Sequence, residues 1–346
     1  MNQPTVWFVS ARLGEPDGVS IAAVAWEVAF RRLGFAVCTV AGAGTADRIV
    51  PGLALDAPTP PTPEELDAAL RGADLVVVEN ICSLPLNRGS AEVVAGCLAG
   101  RRAILHHHDF PWQRKGFQDL GPWPPNDPSW QHVVINELSR RELAERGIEA
   151  TTVYNAVLPP AAGDGKRARD LLDVTPDQLL LMQPTRAIPR KNVPGGLRLA
   201  EALRATYWLT GPAEDGYGPE LDRVLAGAAC AVRRGMPGDL RMADAYEAAD
   251  AVAYPSTWEG FGLPLIESAL YRKPLAVGRF AMADELAAYG FKWFPADDPA
   301  SLHAWLEHPD RELLEHNYAV AHRNFSVDAL ATRLGEVLEH AGWATW

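Results

Sequence analysis

The chain has 346 residues, 48% of them hydrophobic and 22% charged, with a formal net charge of −12. This length suits two domains of ordinary size better than one, and the composition excludes a disordered chain. The acidic balance argues against a nucleic-acid partner, which needs a basic surface, and weakens docking on anionic lipid.

In chain order, the N-terminal residues lack the basic region and long apolar core of a secretory signal. TVWFVS (residues 5–10) is a short apolar run ending in a loop, and residues 19–34, VSIAAVAWEVAFRRLG, carry helical periodicity closed by a glycine. FAVCTVAG, DLVVVEN, AILHHHD, HVVINE and TTVYNAV are further buried-strand candidates. AGAGTAD (residues 41–47) lacks the last glycine of a dinucleotide fingerprint and follows the second strand, so it is expected to be a turn. Near-continuous apolar strands alternating with helices predict a parallel sheet covered on both faces. Residues 109–130 form a long stretch rich in proline and tryptophan, which fits either a rigid cover or a substrate contact. LPPAAGDGK (residues 158–166) reads as a linker. The alternation then restarts with QLLLMQPT, a helix near residues 193–204, TYWLTGP, DAVAYPS, a helix from Pro264, PLAVG and FKWFPA. Residues 326–343 are amphipathic behind a Ser326 cap. The expected fold is α/β: two Rossmann-like, doubly wound domains facing a central cleft. Residues 1–160 form the first, residues 161–325 the second, and residues 326–346 a terminal helix placed to pack back on the first. No apolar run is long enough for a transmembrane segment. Cys38, Cys82, Cys97 and Cys230 form no CxxC pair and read as reduced thiols of a cytoplasmic protein.

YPSTWEGFGLPLIESALYRKP (residues 254–274) sets two acids around a glycine-rich turn. Pro264 fits the first position of a helix. The free amides near Gly262 and Leu263 then favour an anion such as phosphate, and the glycines admit a ligand close to the backbone. Glu267 is expected in the first turn and Glu259 on the loop before it. Carboxylates flanking a phosphate site make sense if they accept hydroxyls on either side of it, as a nucleotide sugar would present. Each acid read alone also fits a helix-start acid or a solvated loop acid. In QPTRAIPRKNVPGG, Arg186 and Lys191 put two cations on one strand-to-helix loop, with Arg190 and Arg198 as solvated extras. A departing diphosphate accumulates charge that such fixed groups can meet.

Together these motifs resemble those of glycosyltransferase family 4, which has the GT-B fold. Arg186 and Lys191 match the family's Arg-x4-Lys pair, and EGFGLPLIE matches its Glu-x7-Glu motif. The resemblance implies that Arg186 and Lys191 bind the donor diphosphate, that Glu259 contacts the transferred sugar and that Glu267 contacts the ribose. Phe261, Gly262 and Leu263 would complete the donor site. Gly18 and Ser20, in EPDGVSIAAVAWEVAF, would cap the cleft near diphosphate and acceptor. The family often has two glycines there, where this chain has Asp17 and Gly18. His108 and Asp109 stand where the family has a cleft-facing His, often followed by Asp. Strand alternation sets His106 and His108 on one face and His107 on the other, so the three cannot converge on one ion. Met236 is a candidate against the base. Trp112, with Asp109 and Ser20, is a candidate acceptor contact. Trp258 reads as core, and Asp297 and Asp298 as helix caps. The expected activity is transfer of a hexose from a nucleoside diphosphate sugar to an acceptor hydroxyl, with retention, no metal and no cofactor. The acceptor is expected to be a soluble small molecule or glycan. Alternatives are a nucleotide-sugar epimerase of the same architecture and a non-catalytic nucleotide-sugar-binding subunit.

Overall fold

The computed structural model describes residues 3–343, except 16, 115, 116, 118–120 and 122. The chain divides into two compact units, Met1–Leu158 with Phe325–Trp346, and Pro159–Asn324.

The first unit is built on β1 (Thr5–Leu13), β2 (Ala36–Gly44), β3 (Arg48–Ile49), β4 (Leu75–Glu79), β5 (Ala103–His107), β6 (Trp130–Val134) and β7 (Thr151–Thr152). They form one parallel sheet in the order β3-β2-β1-β4-β5-β6-β7. The apolar runs make this the cheapest arrangement, because every residue of β4 and β5 is buried and helices cover both faces. The helix Gly18–Arg32 lays Trp26, Ala29 and Phe30 on Phe8 and Val77. The terminal helix Val327–His340, capped by Ser326, adds Leu330, Leu334 and Leu338 to the same core. The stretch AGAGTAD is not a turn from its start: β2 runs on to Gly44, and only the residues after it bend. Pairing of Leu13 with Gly44 extends β1 and β2 beyond the expected strand.

The second unit holds β8 (Leu180–Gln183), β9 (Thr206–Leu209), β10 (Val232–Arg234), β11 (Ala251–Tyr254), β12 (Leu275–Val277) and β13 (Phe294–Pro295), ordered β10-β9-β8-β11-β12-β13. β10 was hidden in sequence by its charged VRR composition, which only an edge strand tolerates. The chain winds outward from β8 through β9 and β10, then returns to β11 on the opposite side of β8. Ala251 pairs with Leu181 and Val252 with Met182, so the loops leaving β8 and β11 emerge side by side at the carboxyl edge. Such a reversal is where open α/β sheets hold ligands. In the first unit the corresponding reversal lies between β1 and β4. No helix among the described residues is long and apolar enough to cross a membrane.

Candidate active site

In the second unit, the loop after β8 closes with a short 3-10 turn, Pro189–Lys191, and Asn192 then opens the helix Val193–Ala202. Asn192 adopts a left-handed φ of 50°; its Oδ1 accepts from the Gly195 amide at 3.1 Å and its Nδ2 donates to the Pro255 carbonyl at 3.1 Å. The Thr257 amide donates to the Arg190 carbonyl at 2.9 Å. The two loops are thus stitched together by backbone and amide groups, before any charged side chain is considered. Beneath them, Gln183 donates to the Lys191 carbonyl at 2.9 Å while Tyr207 donates to Gln183 at 2.7 Å. Only glycine fits at 196, where a Cβ would stand 2.2 Å from Gln183 Oε1.

The charged groups converge on Glu259. Lys191 Nζ donates to its Oε1 at 2.6 Å and Arg190 donates to its Oε2 at 2.6 Å. Lys191 also reaches the Tyr254 hydroxyl at 3.4 Å. Burial favours protonation of Glu259, but Lys191 and Arg190 outweigh it and hold the carboxyl below its usual range. Burial likewise lowers the Lys191 ammonium, partly offset by Glu259, with Arg190 and Arg186 adding to the lowering. Arg190 is therefore not the solvated extra expected from sequence. It lies on Glu259 and over the half-buried Trp258 ring at 5.3 Å, so Trp258 is not a core residue either. Arg186 is half exposed and pairs with Glu214 at 2.5 Å.

Gly262 caps the helix Leu263–Leu270 at φ 92°, ψ 66°, a left-handed conformation that favours glycine. Leu263 takes the first helical position and Pro264 the second, one residue earlier than expected. Glu267 consequently falls in the second turn, beyond the reach of first-turn capping. Its carboxylate accepts from the buried Tyr246 hydroxyl at 2.8 Å. Burial raises this carboxyl above its ordinary range, with the Tyr246 bond opposing. Phe261 is 4% exposed, beside this helix start. Met236 is half-buried in the loop after β10. Asp298 stands at a helix N-cap without a side-chain cap bond, and Asp297 pairs with Arg279 at 3.3 Å, so the expected capping by these acids is absent.

In the first unit, Gly18 is the exposed first residue of its helix, and Asp17 is the N-cap. The Asp17 carboxylate accepts from the amides of Val19 and Ser20 and from the Ser20 hydroxyl at 3.0 Å, so Ser20 is buried and engaged. Asp109 accepts from Asn80 at 2.9 Å and from Arg114. Trp112 is held by its indole N–H on Glu142 at 2.8 Å, with Phe110 on one ring contact and the Arg146 guanidinium 3.7 Å from the ring centroid. That environment occupies Trp112 structurally. Part of the stretch that contains it, at 115, 116, 118–120 and 122, lies outside the described residues.

His108 follows β5, and Asn80, at the end of β4, accepts from its amide at 3.0 Å. Two of the three histidines meet, as alternation requires. His106 Nδ1 and His108 Nε2 lie 2.8 and 3.0 Å from the same oxygen of Glu79, Oε2. His107 faces away, toward Ser83 and His132. Glu79 was missed in sequence, although its signal was there: it is the one acid closing the apolar run LVVVE. Burial opposes ionisation of Glu79, but the two imidazoles outweigh it and hold the carboxyl at about 2.

No family model matches the chain. The mannosylglucosylglycerate synthase of Thermotoga maritima is 26% identical over 77% of this chain and 76% of its own length. Among solved structures, HepE of Anabaena, in complex with UDP-glucose, matches with a TM-score of 0.71 at 18% identity, covering 97% of this chain and 99% of that one. The sucrose-phosphate synthase of Thermosynechococcus elongatus matches with a TM-score of 0.71 at 15% identity, covering 99% and 100%. The two parallel-sheet domains are those of the GT-B fold.

Proposed function

We infer that this chain is a nucleotide-sugar-dependent glycosyltransferase, and we propose that it is of family 4. In this reading it moves a hexose to an acceptor hydroxyl with retention, and fixed cations take the place of a metal ion. The observation that carries it is the grouping at the reversal of the second sheet: Lys191 and Arg190 on Glu259, Arg186 on the same loop, and a glycine-capped helix start leading to Glu267. Arg186, Lys191 and the amides of Gly262 and Leu263 take the diphosphate and stabilise it as it leaves. Glu267 accepts ribose hydroxyls, Glu259 accepts sugar hydroxyls and Met236 packs on the base. His108 serves a sugar hydroxyl, and the first unit takes the acceptor. A relative named for making mannosylglucosylglycerate and a neighbour holding UDP-glucose support a hexose donor.

The test is thermal shift with UDP, GDP, ADP and dTDP sugars, since a ligand bound only by the folded chain raises its Tm. The binder is then incubated with sugar and glycoside acceptors, and the anomer of the product is read by NMR. A raised Tm and a product keeping the donor's anomeric configuration are expected. Failure of every nucleotide sugar to bind or be consumed would overturn the reading. Conversion of the donor to an isomer without acceptor would instead identify an epimerase.

A further inference from the structure

Glu79 closes β4, and His106 and His108 come from the end of the neighbouring strand β5, with Glu79 paired to His106 in the sheet register. Glu79 and His106 are fully buried, and the His108 side chain is 8% exposed. One carboxylate oxygen therefore faces two ring nitrogens at 2.8 and 3.0 Å, the spacing of N–H···O bonds. An ionised carboxylate only accepts, so each of those nitrogens must carry its proton. In the neutral rings, His106 then holds its proton on Nδ1 and His108 on Nε2.

The remaining atoms bear on whether a metal ion could take the place of these protons. The donor atoms of Glu79, His106 and His108 lie within 4.8 Å of one another, close enough for one cation. A cation would displace both protons to the opposite ring nitrogens. Among the described residues Glu79 Oε1 is buried with no hydrogen-bond partner, and so is His106 Nε2. That nitrogen would become an orphaned buried N–H, whereas metal-bound histidines give that N–H to an acceptor. Unmet buried donors and acceptors both carry a desolvation penalty, so the missing acceptor for that N–H, not the cost of the lone pair, weighs against a cation. Trp26 stacks on the His106 ring at 3.9 Å between centroids and 23° between planes, which fixes the ring that shares Glu79.

We propose that Glu79 is a positioning residue that locks His108 in its Nε2–H tautomer, leaving Nδ1 as a fixed lone pair that accepts a hydrogen bond from a sugar hydroxyl. His108 thus recognises an O–H donor and does not serve as a counter-ion to phosphate. The Asn80 bond to the His108 amide sets the backbone, and the Glu79 bond sets the ring. This deepens the transferase reading by naming the residue that orients His108 and the ring nitrogen that meets the hydroxyl, and rests on that reading for its consequence in turnover.

Imidazole nitrogen NMR on the full chain, labelled in histidine and held at about pH 8, above the ordinary histidine range, reads the tautomers directly. His108→Gln assigns the signal. A protonated Nε2 with a bare Nδ1 at His108, and the reverse pattern at His106, are expected. Glu79→Leu, similar in volume but with no acceptor, should abolish this fixed pattern. In the transferase assay it should lower kcat at least about tenfold while the Kd for nucleoside diphosphate stays unchanged, which a general loss of folding would not do. A His108 proton on Nδ1, an equimolar metal in the purified protein, or an unchanged pattern or kcat in Glu79→Leu would each overturn the proposal. The NMR experiment needs no substrate. Absence of any sugar transfer with the tautomers in place would therefore sink the transferase reading alone.

Discussion

Lys191 Nζ lies 2.6 Å from Glu259 Oε1, with the two side chains only 10% and 5% exposed. Removing either partner is not equivalent. Lys191→Met leaves Glu259 still bonded to Arg190. Glu259→Gln leaves a buried ammonium with no anion, the more expensive outcome; stranding one member of a buried pair costs about 3–5 kcal/mol. Glu259→Gln is therefore expected to lower unfolding free energy more than Lys191→Met, as measured by urea denaturation. Both variants should lose about two orders of magnitude in turnover. Equal stability losses would mean that Arg190 does not share the charge of Glu259.

Arg186 supplies the contrasting case. Its guanidinium is half exposed on Glu214, and exposed pairs contribute about 0–1 kcal/mol. Arg186→Ala should leave the urea midpoint almost unmoved and still cut turnover by about two orders of magnitude, since a diphosphate would draw the side chain from Glu214. Normal turnover in this variant would remove Arg186 from the mechanism.

The contrast also shows what could be read from sequence. Apolar runs and their alternation with helices mark β1, β4, β8 and β11, because a strand buried on both faces must be apolar along its length. The linker at 158–166 and the Ser326 cap are equally local signals. The positions of Arg186, Lys191, Glu259 and Glu267 at one sheet edge follow from the same alternation. Their partners do not. That Arg190 lies on Glu259, that Glu267 meets Tyr246 and that Glu79 joins two histidines depends on register between strands distant in the chain. No spacing rule reports such register. Similarly, Ser20 and Trp112 carry recognisable binding chemistry, but Asp17 and Glu142 already occupy it.

Glu267 predicts a pH-dependent affinity. Burial holds its carboxyl above the ordinary range, and ribose hydroxyls need it ionised. Nucleoside diphosphate should therefore bind more weakly as pH falls through the raised pKa, and binding at that pH should release protons. Calorimetry in buffers of different ionisation enthalpy measures both. Glu267→Gln should weaken binding and remove the proton release. Unchanged affinity in that variant would remove Glu267 from the nucleotide site.

The buried imidazoles of the first unit predict acid sensitivity of the fold itself. Burial lowers His132 from its ordinary 6.5 to about 4, and lowers His107 well below its ordinary value, with His132 adding to the effect. Between those limits the unfolded chain binds protons that the folded chain excludes. Stability is therefore full above about pH 6.5 and declines as pH falls toward about 4, with His132 alone contributing a loss of ~3 kcal/mol at most. Glu79 acts in a different window, because its carboxyl stays ionised down to about 2. Urea unfolding at neutral pH and near pH 5 should show this decline, and His132→Gln should flatten it whatever its absolute stability. The slope is the diagnostic quantity, since His132 also bonds His107 at 2.9 Å and Asn126 at 3.1 Å and its replacement costs stability at every pH. An identical slope in His132→Gln would place the acid-sensitive protons elsewhere in the fold.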